Sequence, residues 1–179
     1  MHRIGAFFRP AHSKSAPAAG ARGAPNYNRA MSDIEAIRRA ARERARKLGV
    51  AYEGSLLPSE ARELMQAGAA KLVDVRTKPE LQYVGRVPGS VAIEWQSWPG
   101  GKANPAFLDE LAAAVPREEP VMFLCRSGAR SDAAAQAATQ GGWKAAYNIL
   151  EGFEGDKDAE GHRNTVGGWR KAGLPWTQG

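Results

Sequence analysis

In "SDIEAIRRAARERARKLGV", residues 32–50, apolar positions Ile34, Ile37, Ala41 and Leu48 recur at helical spacing, with arginines and acids between them. Ser32 followed by Glu35 predicts a capping box at the helix start, and Gly49 supplies a stop. From residue 55 onward the pattern changes to helical stretches alternating with short apolar runs. "PSEARELMQAG" predicts a helix with Pro58 in its first turn, Leu64 and Met65 facing inward and Gly68 ending it. "KLVDVR" reads as a short strand ending in charge, and "GRVPGSVAIEW" as a turn feeding another strand. "NPAFLDELAAAV" predicts a helix with Asn104 as its cap and Pro105 just inside. "PVMFLC" is the most apolar strand, "SDAAAQAATQGG" a helix closed by glycines, and "AAYNIL" a last strand.

Strands separated by helices imply parallel pairing through right-handed crossovers, with helices on both faces of one sheet, so the fold class is α/β. No internal repeat interrupts this order. Residues 1–30 are rich in Ala, Gly, Pro, Ser and Arg without periodicity and read as a disordered leader. Lacking acids, that leader also has the composition of a transit peptide, while Met31 stands directly before the predicted helix as an alternative start. The expected division is therefore 1–30 leader, 31–50 amphipathic helix and 51–179 folded domain.

The net charge of +6 would suit a nucleic-acid binder if it were spread over the domain. It is not: residues 1–50 hold +8, and residues 51–179 hold −2 with all five tryptophans. Arginine runs on the first helix read as a solvated face, and no nucleic-acid partner is expected. No apolar run approaches the length of a membrane span, so no membrane partner is expected either. A single cysteine rules out an internal disulfide, a CxxC pair and a cysteine-rich zinc site, and it favours a reducing, cytoplasmic setting.

That cysteine, Cys125, ends the most apolar strand and opens the loop "CRSGAR". A lone cysteine at a strand end also reads as plain core, since free cysteine is among the most buried residue types. The residues after it argue for chemistry. Ligands gather where the carboxyl ends of parallel strands meet helix amino ends. Only five residues separate Cys125 from the predicted helix at Ser131, so the backbone must curl, and Gly128 can take the conformation other residues resist. A curled loop turns its amides inward as an anion cradle. Hydrogen bonds to a charged acceptor contribute about 1.5–3 kcal/mol each, against about 0.3–1 kcal/mol for a helix dipole. Two or three loop amides would thus outweigh the helix in holding a thiolate. Arg126 and Arg130 could bind an anionic substrate, or form ion pairs at the loop rim. The domain's only histidine, His162, is distant in sequence and reads as structural.

The order "LVDVR", "GRVPGSVAI", "CRSGARS", "AYNILEGFEG" and "GGWRKAGLPW", over residues 52–178, resembles the rhodanese family of sulfurtransferases. The resemblance implies a three-layer α/β/α domain around a central, mainly parallel five-stranded sheet. It also implies that Cys125 takes a sulfane sulfur from an anionic donor such as thiosulfate, holds it as a persulfide and passes it to a thiol or protein acceptor. Arg126, Ser127, Gly128, Ala129, Arg130 and Ser131 would form the substrate cradle, Ser127 and Ala129 through their amides only. Asp74 would brace the loop and Arg76 anchor neighbouring segments, although both also read as an ordinary strand-end ion pair. Arg86, before the "PG" turn, would be structural. No metal or cofactor is implied.

Phosphatases on the same scaffold resemble Cys-x5-Arg, whereas Arg130 stands at Cys-x4-Arg, a tighter loop suited to one sulfur atom. With no second cysteine, the sulfur must leave to another molecule. Trp95 and Trp98 could line that approach or belong to the core, and Trp143, Trp169 and Trp176 read as packing residues. A second function class stays open: a persulfide carrier or sensing module that takes sulfur from a partner protein and turns over poorly with small donors.

Overall fold

The computed structural model describes residues 24–179, with side chains from residue 28 onward. Most of the expected leader, residues 1–23, lies outside the described residues. The first helix, α1, spans Ala24–Leu48 and so begins eight residues before the expected capping box. Pro25 falls in its first turn, where a missing N–H is tolerated, and nothing from Asn26 to Met31 breaks a helix. Ser32 and Glu35 therefore lie inside α1, where Glu35 accepts from Arg38 at 2.8 Å.

Among the described residues of α1, Ile34, Ala41 and Ala45 are buried, while Leu48, expected inside, is exposed. The arginines are not merely solvated. Arg44 binds Glu60 bidentately and donates to the Ser55 carbonyl, Arg42 pairs with Glu53 at 3.0 Å, and Arg38 reaches the Ala69 carbonyl at 3.2 Å. α1 is thereby clamped over the sheet edge at Gly54, where an added Cβ would lie 2.9 Å from that of Ala41.

Beyond α1 the chain forms β1 (Gly54–Leu56), α2 (Pro58–Gln66), β2 (Lys71–Asp74), β3 (Val91–Ala92), α3 (Phe107–Ala114), β4 (Val121–Leu124), α4 (Ala129–Gln140) and β5 (Ala146–Ile149). All strand pairs are parallel, in the order β1-β5-β4-β2-β3. Two helices start at other residues than their patterns predict. α3 opens at Phe107 because the Asn104 side chain accepts from the Ala106 amide, making a separate turn ahead of the helix. α4 opens at Ala129, two residues early, which shortens the loop after β4.

β4 lies at the centre and is fully buried along its length, as expected of a parallel strand covered on both faces. Its side chains alternate. Val121 and Phe123 pack with α3 and α4, and Met122 and Leu124 with α1 and α2. The result is a three-layer α/β/α domain with one core on each side of the sheet. Register places Asp74 of β2 beside Leu124 of β4, so the two strands end together and the residues that come after them share one edge. Among the described residues no helix is long and apolar enough to cross a membrane.

Candidate functional site

Cys125 is the first residue past β4 and continues its alternation, so its side chain turns toward the α4 face, where it is 1% exposed. The chain then reverses within three residues. Gly128 makes this possible: its φ of +101° lies in the left-handed region, and a Cβ there would collide with the Leu150 carbonyl. The segment after β5 seals the loop from below, as the amides of Phe153 and Glu154 donate to the carbonyls of Cys125 and Arg126 at 2.8 and 2.9 Å.

Two groups donate to the sulfur. The Gly128 amide lies 3.1 Å from Sγ, and the Ser131 hydroxyl 3.2 Å. The expected ring of several amides is thus one amide and one hydroxyl. Gly128 is the one loop amide hydrogen-bonded to the sulfur; the amides of Ala129, Arg130 and Ser131 fall in the first turn of α4, where helix N–H groups have no partner within the helix. Ser131 contributes its side chain, a role the loop pattern alone does not assign. Its oxygen is also 3.1 Å from the Gly128 carbonyl. With one proton, the hydroxyl donates to a thiolate, or to that carbonyl while accepting from a thiol.

The two loop arginines differ. Arg126 is exposed and, among the described residues, has no carboxylate within salt-bridge distance. Arg130 is half-buried and grips Glu80 bidentately at 2.8 and 2.7 Å, so of its two readings the rim ion pair is the one observed. Ser127 is half-buried and Ala129 exposed, and neither is hydrogen-bonded to the sulfur. Glu80 was not foreseen. Its carboxylate also accepts from the Thr77 amide and hydroxyl, both at 2.9 Å. The capping-box spacing Thr-x-x-Glu in "TKPE" was the available signal. Burial alone would raise the Glu80 carboxyl, but the hydrogen bonds from Arg130 and Thr77 and the charge of Arg130 hold it down to about 2.

Beneath the loop, Arg76 binds Asp74 through 2.9 and 2.7 Å contacts, with both side chains fully buried. Arg76 also donates to the Gly85 carbonyl at 2.8 Å and stacks 4.0 Å over Phe153, the residue whose amide holds Cys125. Asp74 and Arg76 therefore support the loop through Phe153 and do not reach the sulfur. On the other side, the buried Tyr52 hydroxyl donates to Asp132 at 2.6 Å, tying down the turn of α4 that carries Ser131. Burial, and then the bond to Asp132, raise the Tyr52 phenol above its usual value, so it remains a donor.

Other candidates fall outside this cluster. His162 is exposed and meets the Asp158 side chain through its backbone amide. Trp95 packs edge-on against Phe107, and Trp98 is 69% exposed. Trp143 and Trp169 are buried and Trp176 is partly buried, while the backbone of Arg86 pairs with Thr177 near the chain's end. A cavity of about 350 Å³, walled in part by Lys78, Leu81, Glu94 and Lys102, adjoins the Glu80 segment but does not include Cys125 or its loop. No group of three or more metal-ligating side chains occurs among the described residues.

Residues 57–159 match the family described as the rhodanese-like domain. Curated relatives include the uncharacterized protein RC0915 of Rickettsia conorii, 39% identical over 111 residues that span 60% of this chain and 82% of the relative. The thiosulfate sulfurtransferase GlpE of Glaesserella parasuis is 33% identical over 100 residues, 56% of this chain and 82% of that one. Among solved structures, Rv0390 from M. tuberculosis is 47% identical, with a TM-score of 0.64 over 72% of this chain and all of the other.

Proposed function

The chain belongs to the rhodanese-like domain family, and from that premise we propose that it is a sulfurtransferase whose Cys125 carries a sulfane sulfur. In the first step the Cys125 thiolate attacks the outer sulfur of a thiosulfate-type donor. The donor's S–S bond breaks, sulfite departs with the bonding electron pair, and an anionic persulfide remains on Cys125. In the second step a thiophilic acceptor, a thiolate in the cell or cyanide in an assay, attacks the outer sulfur and Cys125 leaves as thiolate. No second cysteine exists to intercept the persulfide, so the transfer is intermolecular.

The observation that carries this reading is the pair of donors on one sulfur, Gly128 N–H at 3.1 Å and Ser131 Oγ at 3.2 Å, at the carboxyl end of the central strand. Two hydrogen-bonding groups so placed can accompany the sulfur through the transfer, since bonds to a charged acceptor are the stronger kind. Similarity to a thiosulfate sulfurtransferase supports the same chemistry. The buried sulfur and the paired Arg130 favour a second reading, a carrier that takes sulfur from a partner protein.

Intact-mass measurement after exposure to thiosulfate, mercaptopyruvate or a cysteine-derived persulfide tests both. A sulfurtransferase should gain one sulfur atom from thiosulfate, and Cys125→Ser should not. Loading only in the presence of a persulfide-forming partner protein would favour the carrier, and no loading under any condition would sink both.

A further inference from the structure

The Cys125 loop carries two guanidinium groups within five residues, yet they do not present equal charge. Arg126 is exposed and uncompensated among the described residues, whereas Arg130 is closed in a two-point ion pair with Glu80. Glu80 is itself fixed from the other side by the Thr77 amide and hydroxyl, so the carboxylate is built in and not a passing contact. Arg130 nevertheless belongs to the sulfur's surroundings: it stands in the first turn of α4, next to Ser131, whose hydroxyl lies 3.2 Å from Sγ. Its basicity is raised chiefly by the hydrogen bonds to Glu80 and, in smaller part, by the charge of Cys125.

We propose that Glu80 sets the charge preference for the sulfur donor: by cancelling Arg130 it leaves the loop one effective cation, which favours monoanionic sulfane-sulfur donors over dianionic ones. This rests on the sulfurtransferase reading and refines its substrate class. A persulfide or thiosulfonate brings one negative charge to the loop, and Arg126 offsets it. Thiosulfate brings two, and the second meets a loop whose other guanidinium is already spent on Glu80. The transfer is the same in both cases: Cys125 forms a bond to the donor's outer sulfur as sulfinate, thiolate or sulfite leaves with the electron pair.

The test compares thiosulfate with methanethiosulfonate, which offer the same sulfonyl-bound sulfur and differ by one charge, with cyanide as common acceptor. The quantity read is the ratio of kcat/KM for thiosulfate to that for methanethiosulfonate. Glu80→Gln uncovers Arg130, and the ratio should rise about tenfold, the scale of one unit charge acting across several ångström of partly desolvated space. Arg126→Gln removes the uncompensated cation from an exposed position, and the ratio should fall by about the same factor. Glu80→Gln combined with Arg130→Gln is neutral in sum, as the ion pair is, and should return the ratio to within about twofold of wild type. A purely structural Glu80 would lower both donors alike and leave the ratio unmoved, and that result overturns the inference while the sulfurtransferase reading stands. Wild-type protein that takes sulfur from neither donor overturns both.

Discussion

Two arginine–carboxylate pairs support the Cys125 loop, and they do opposite things. Asp74–Arg76 lies beneath it with both side chains fully buried, while Glu80–Arg130 lies at its rim with each about one-fifth exposed. The buried pair has no solvent to fall back on. Its arginine binds Asp74 and the Gly85 carbonyl and stacks on Phe153, so three segments meet on one side chain. The rim pair joins only two segments and is partly open to solvent, with Arg130 one residue from Ser131, whose hydroxyl meets the sulfur. The same two kinds of residue thus hold the fold in one place and adjust its charge in the other, and burial decides which.

The comparison breaks first at the buried pair. Asp74→Asn leaves Arg76 charged in a sealed site without a counter-ion, and breaking such a pair costs about 3–5 kcal/mol. That is a large share of an ordinary domain's total stability. Urea unfolding should show the midpoint falling steeply, and a loss under about 1 kcal/mol would mean that the site admits water and is not sealed.

Gly128→Ala leaves both pairs in place and disturbs only the turn between them. The left-handed φ and the collision with Leu150 should cost about 1–3 kcal/mol, and sulfur loading of Cys125 should drop with it as the Gly128 amide moves off Sγ. Unchanged loading in this variant would show that the charges, not the turn, hold the sulfur.

Much of this arrangement was legible because its causes are local. A short, uniformly apolar run such as "PVMFLC" between helical stretches suits a strand covered on both faces, and the few residues between Cys125 and the next helix, Gly128 among them, call for a tight turn. The features that escaped depend on distant partners. Glu80 meets an arginine fifty residues away, and no spacing along the chain announces that. β1 spans only Gly54–Leu56, too short for any period to show, and it is defined by pairing with β5. The arginines of α1 look solvated by pattern, yet Arg42 and Arg44 reach over the sheet edge to Glu53 and Glu60. The donors on the sulfur are another such feature, since a loop pattern does not say which groups will face one atom. α4 begins two residues early, at Ala129, and its Ser131 turns a hydroxyl to the sulfur.

The rim pair offers the smallest effect and the sharpest sign. Glu80 is held down to about 2 in the folded chain, against an ordinary carboxyl value near 4.5 when unfolded. A depressed carboxyl contributes stability that is fully present above the unfolded value and is lost as pH falls through the folded one. The window therefore runs from about pH 4.5 down to about pH 2, and solvent at the rim limits the contribution to about 1–2 kcal/mol. Other carboxylates titrate in the same range, so the useful measurement is a difference. Thermal melts of wild type and Glu80→Gln should be separated by a constant amount above pH 5 and converge as the acid wild type loses its ion pair. If the gap instead stayed constant to the lowest pH at which both remain folded, Glu80 would not be the anion that cancels Arg130, and the contrast between the two pairs would reduce to burial alone.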